Sequence, residues 1–147
     1  MQLIEYMDRD FELLRKRIAD VSHAYSHQDP SLTMDKAKVM FETFSRRFAI
    51  EDFLFSKFTP TAEMNVFIKT LLKNRRLLRE RLEDMLMLHV SEPDFMKEIQ
   101  TLLKLSEEHL KFLEQEFQPE VISKLPEADL LNMSNALEDR LHSTAFE

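Results

Sequence analysis

The chain has 147 residues, 44% hydrophobic and 32% charged, with a formal charge of −7, which suits one soluble domain around one core. It has no Cys and no Gly. That excludes disulfides, thiolate nucleophiles and iron–sulfur or zinc–thiolate sites, and argues against phosphate-cradling loops, nucleotide-binding fingerprints and tight hairpins, which need positive φ or close backbone approach. The negative charge opposes nucleic-acid binding, and no apolar run approaches the ~20 residues that span a bilayer. The opening is acidic and amphipathic rather than a secretory signal, so a cytoplasmic protein is expected.

Pro30, Pro60, Pro93, Pro119 and Pro126 fall between long periodic stretches, where proline is tolerated. A first helix is predicted from about Gln2 to Tyr25, with Ile4, Met7, Phe11, Leu14, Ile18 and Val21 recurring at steps of three and four. His27 to Ser31 reads as a loop. A second helix is predicted from Thr33 to Phe58. Its seam runs Ala37, Phe41, Phe44, Phe48, then Glu51, then Phe55 and Phe58, so a carboxylate interrupts a row of aromatics. The helix is most simply core; Met40, Phe53 and Leu54 lie off the main seam, and the other reading is that they widen it into a second apolar face, a partner or dimer surface if exposed.

A third helix from about Ala62 to Val90 carries Met64, Ile68, Leu71, Arg75, Leu78, Leu82, Met85 and His89. Ser91-Glu92-Pro93 starts a fourth, whose seam is Phe95, Ile99, Leu102, Ser106, His109, Leu113 and Phe117, ending at Pro119. A short last helix follows Leu125, with Pro126 in its first turn, and ends near His142. Its Leu130, Met133 and Leu137 are expected to cover one end of the others.

The expected fold is all-α, an up-down-up-down four-helix bundle with a short fifth C-terminal helix. One domain is expected over residues 1–147, the bundle at about 2–119 and a capping segment at about 120–147. At a rise of ~1.5 Å per residue, Phe11, Glu51, Arg75 and His109 each lie roughly 10–20 Å from one end, in one layer. Glu51, Arg75 and His109 stand where a buried helix face carries Leu or Phe. Each unpaired polar group there would cost roughly 1–3 kcal/mol, so they are expected to act together.

That layer, and nearly the whole chain, resembles the hemerythrin-like family of HHE cation-binding bundles. The opening Leu3-Ile4-Glu5-Tyr6-Met7-Asp8-Arg9-Asp10-Phe11 resembles the family's first-helix pattern, with Phe11 in the His place. Arg47-Phe48-Ala49-Ile50-Glu51-Asp52-Phe53-Leu54-Phe55 resembles its His-Phe-x-x-Glu-Glu stretch, with Glu51 kept and Arg47 in the His place. Asn74-Arg75-Arg76-Leu77-Leu78-Arg79 is similar to the third-helix motif, with Arg75 for His. His109 through Glu114 to Pro119 matches the fourth helix, and Leu125-Pro126-Glu127-Ala128-Asp129-Leu130 the segment after it. The resemblance implies a bacterial-type bundle whose relatives hold two irons at mid-height. Here only Glu51, His109 and Glu114 survive as donors. Arginine stays protonated and cannot ligate, so no diiron centre and no cofactor are expected.

Two readings of the layer follow. In the first, Arg47, Glu51, Arg75 and His109 are a structural polar layer: a buried ion pair of Glu51 with Arg75, joined by Arg47, and a neutral His109 bonded to Glu51 or Ser106. The chain is then a non-enzymatic regulatory or protein-interaction module, with room for a protein partner or a homodimer. In the alternative, Glu51, His109 and Glu114 bind iron or another divalent ion for sensing or storage. Glu114 is more simply a solvated charge, because Leu113 and Phe117 hold the seam. His23, His27 and His89 gather at the far end, as scattered exposed residues or as a metal- or pH-sensitive patch. Lys73, Arg75, Arg76, Arg79 and Arg81 interleave with Glu80, Glu83 and Asp84, an ordinary charged face rather than a site for an anion.

Overall fold

The computed structural model describes residues 3–56 and 61–144. Among them every regular element is helical: α1 (Leu3–Ser26), α2 (Pro30–Phe55), α3 (Ala62–Met87), α4 (Pro93–Phe112), a π-helical turn (Leu113–Phe117), α5 (Gln118–Lys124) and α6 (Glu127–Thr144). None of these helices is long and apolar enough to cross a membrane. The expected fold is therefore all-α as read, with small shifts of boundary. Phe58 and Pro60 of the second seam and the second link lie outside the described residues.

Helix α1 packs most extensively on α2, and α3 on α4. Helix α1 also packs on α4, and α6 lies against both α1 and α2. The predicted seams supply most of the core. Phe44, Phe48, Leu71, Leu78, Leu82, Met85, Phe95, Ile99, Leu102, Leu113 and Phe117 are all buried, as are Met133 and Leu137 of α6. One expectation fails on helix phase. Ile4 is 46% exposed, while Leu3 and Tyr6 take the inner positions. The second apolar face of α2 does not form: Met40 and Leu54 are buried in the core, and Arg140 of α6 stacks over the Phe53 ring at 4.8 Å. His89 also leaves its seam, because α3 stops at Met87 and the ring is exposed.

Helix α2 begins three residues earlier than Thr33. The Asp29 carboxylate accepts from the Leu32 N–H at 3.1 Å, and Pro30 occupies the first turn, where its missing donor costs nothing. Before it, α1 closes with Gln28 N–H on the Tyr25 carbonyl and Asp29 N–H on that of Ala24, a Schellman end. Gln28 has φ 53, the left-handed conformation that glycine usually supplies at this point. The chain thus makes the positive-φ turn without a glycine, and strains a side chain to do so. Gln28→Gly is expected to stabilise the protein by about 1 kcal/mol, raising Tm by roughly 2–4 °C. An unchanged or lower melting temperature would show that the turn is not strained.

The fourth seam does not stop at Pro119. The helix widens instead, with Gln118 N–H reaching back to the Leu113 carbonyl. Pro119 sits just beyond, and its ring in a regular α-helix would meet the Gln115 carbonyl. Widening by one residue relieves that clash and lets α5 continue to Lys124.

Candidate functional site

Arg47 is the centre of the polar layer. Helix periodicity turns it inward one turn before Glu51, and it is 2% exposed. Its Nη1 donates to Asp10 Oδ2 of α1 at 2.6 Å, and its Nε to Glu51 Oε2 at 3.1 Å. Its guanidinium also lies 5.1 Å from the centroid of the Phe11 ring. Arg75 of α3 enters from the other side, 4.7 Å above the Phe48 ring. It grips Asp52 with both terminal nitrogens, at 2.8 and 3.0 Å, and stands 3.9 Å from Glu51 Oε1. Glu51 and Arg75 are therefore neighbours but not hydrogen-bonded partners. The direct pairs are Arg47 with Asp10 and Glu51, and Arg75 with Asp52, whose side chain is 61% exposed.

Asp10, Arg47, Glu51 and Arg75 are all buried, so two carboxylates face two guanidinium groups inside the core. Burial works against the Arg47 charge, but Glu51 and Asp10 outweigh it and hold its pKa above the usual value. Burial pushes the Glu51 carboxyl above the ordinary carboxylate range, against the pull of Arg47 and Arg75.

His109 is 2% exposed and packs against Phe44 and Phe48, with ring centroids 6.0 and 5.9 Å away. Neither of its ring nitrogens has a hydrogen-bond partner, and neither does Ser106 Oγ one turn earlier. The expected bond to Glu51 or Ser106 is absent, since the phenyl rings hold the imidazole instead. Burial, reinforced by Arg47 and Arg75, lowers the His109 pKa to about 3. The imidazole is neutral at physiological pH.

Glu114 lies apart from this group. It faces out of the π-turn, pairs with Arg15 of α1 and is 38% exposed. Among the described residues no three His, Asp or Glu side chains stand where they could hold a metal ion, so Glu51, His109 and Glu114 are not brought together. Nor does the layer suit a pair of irons. Its carboxylates are engaged by guanidinium groups, and those positive charges would repel a cation. The cavity beside Arg47 and Glu51, walled by Met7, Leu54, Phe117 and Met133, has a volume of about 20 Å³. That is room for something the size of one water molecule, not for a metabolite.

No protein-family model, no curated protein and no solved structure matches this chain.

The layer brings together Phe11, Arg47, Glu51, Arg75 and His109, all singled out from the sequence. Asp10 and Asp52 were missed. The steps from Leu3 through Tyr6, Asp10 and Leu14 form an inward stripe that would have revealed Asp10. On the surface, Arg76 pairs with Glu80 at 4.0 Å and Arg81 with Glu98 at 3.4 Å, in keeping with a solvated charged face. His23 and His27 meet, with ring centroids 4.3 Å apart. His89 instead places its Nδ1 2.6 Å from Ser91 Oγ.

Proposed function

We propose that the chain is a hemerythrin-like up-down-up-down four-helix bundle, one domain over 1–147, whose metal layer has been replaced by an ion-pair layer. It acts in the cytoplasm as a non-enzymatic regulatory or protein-interaction module. The observation that carries this reading is the pair of buried guanidinium groups, Arg47 and Arg75, among Asp10, Glu51 and Asp52. Groups that would ligate a metal are here bound to arginine, and the neighbouring cavity has no room for a substrate. Nothing in the layer combines an activated nucleophile with an accessible acid or base.

The unpaired nitrogens of His109 favour a second reading, a residual site for iron or another divalent ion. Glu114, bound to Arg15, would have to leave its partner to join it.

Elemental analysis and an absorption spectrum of freshly purified protein decide between them. Folded protein with no metal in the layer is expected. Near-stoichiometric iron removed by His109→Ala would overturn the proposal. Mass in solution then directs the search for the partner. Twice the 17.6 kDa of one chain would point to a second copy, and a monomer to another protein.

A further inference from the structure

We infer that His23 and His27 form a two-imidazole chelate for a borderline transition-metal ion of the Zn²⁺, Ni²⁺ or Cu²⁺ class. The site lies at the C-terminal end of α1, on the surface, and is independent of the core layer. It does not depend on the function proposed above.

His27 directly follows α1 and still donates its N–H to the His23 carbonyl at 3.2 Å, one helical turn back, so the two side chains leave the same face. Both are exposed, and their ring centroids are 4.3 Å apart. The ring of His27 is held by its surroundings: Nδ1 lies 2.9 Å from the His23 carbonyl oxygen. A carbonyl can only accept, so Nδ1 carries the proton and Nε2 presents a lone pair to solvent. An imidazole tied through one nitrogen to a carbonyl, with the other free, is the arrangement found in metal-ligating histidines. The ring nitrogens of His23 make no hydrogen bond among the described residues, so one is available as the second donor.

Imidazole pairs suit zinc, nickel and copper, whereas calcium and magnesium prefer oxygen. Two donors leave the remaining positions to water, so binding is reversible. His89 is not part of the site, because its Nδ1 is engaged with Ser91.

The test is thermal unfolding of the full chain with Zn²⁺, Ni²⁺ or Cu²⁺ alone, backed by titration of the imidazole NMR signals with Zn²⁺. A rise in Tm of about 2–5 °C at saturating ion is expected, largest for Cu²⁺. Selective shifts of the His23 and His27 ring signals should accompany it. His23→Ala and His27→Ala should each lower affinity by about tenfold or more, because a chelate needs both donors. His89→Ala should leave it unchanged. Two outcomes overturn the chelate: no response to any of the ions, or each single variant merely halving the stoichiometry, which would mean two independent imidazoles. Metal that survives His23→Ala and His27→Ala but not His109→Ala would place the ion in the core, and would bear on the proposed function instead.

Discussion

Arg47→Met is expected to lower the unfolding free energy by about 3–5 kcal/mol, the largest loss from any single substitution in the polar layer. The reason lies less in what Arg47 contributes than in what its removal leaves. Asp10 and Glu51 would remain deep in the core, within reach of one another's charge and without their common partner. A domain with roughly 5–15 kcal/mol of total stability would be substantially weakened, and its urea midpoint should fall accordingly. Arg75→Met is expected to cost less, about 1–2 kcal/mol, because Glu51 keeps Arg47 and Asp52 can turn to water. The concerted change Asp10→Leu, Arg47→Met and Glu51→Leu should cost far less than Arg47→Met alone, since it removes Arg47 together with both of its partners and leaves Arg75 its own pair with Asp52. If Arg75→Met proved the more damaging of the two single variants, the assignment of Arg47 as the central partner would be wrong.

The second large effect is on acid stability, and it belongs to His109. Its pKa falls from 6.5 to about 3 on folding. Above pH 6.5 the ring is neutral in both states, and the contribution is fully present. As pH falls from 6.5 towards 3, the unfolded chain takes up a proton that the folded core refuses. Stability then drops by about 1.4 kcal/mol per pH unit, or about 2 kcal/mol by pH 5. Glu51 runs the other way. Its raised pKa means a contribution present below its unfolded value of 4.5 and lost as pH rises through the folded value. Comparing each curve with that of a His109→Phe variant separates the two. The variant should lose the slope between pH 6.5 and 4.5 and, at neutral pH, gain up to about 1–3 kcal/mol, because two buried nitrogens without partners are gone. Urea unfolding across pH 4.5–8 measures both, and parallel curves for parent and variant would refute the account.

Much of this fold is legible in the sequence because its seams keep a strict three–four rhythm between prolines. Phe44, Phe48, Leu71, Leu78, Ile99 and Leu102 could be placed inward from spacing alone. The layer was legible as polar residues at apolar positions, but its wiring was not. Asp52 follows Glu51 directly, and adjacent helical side chains point about 100° apart, so pattern alone cannot say which carboxylate Arg75 reaches. The isolation of His109 depends on how Phe44 and Phe48 wedge its ring, a matter of tertiary packing. The π-turn was hidden because proline reads as a stop. Here the helix absorbs Pro119 by widening. Pro30 acts in the opposite sense: it opens α2 after an aspartate cap, a start signal masked by the loop-like composition of His27 to Ser31.

The distribution of the buried charges along the chain has a consequence for the order of assembly. Asp10, Arg47 and Glu51 all belong to the first two helices, and the Asp10–Arg47 contact spans 37 residues. A nascent chain that has released only α1 and α2 already holds this triad, and can close it over a modest loop. Arg75 arrives next and finds Asp52 at the rim. Helix α4 comes last among those that build the layer, and brings only the uncharged His109. The first two helices thus enclose two carboxylates with one guanidinium, and the second positive charge beside Glu51 comes only with α3.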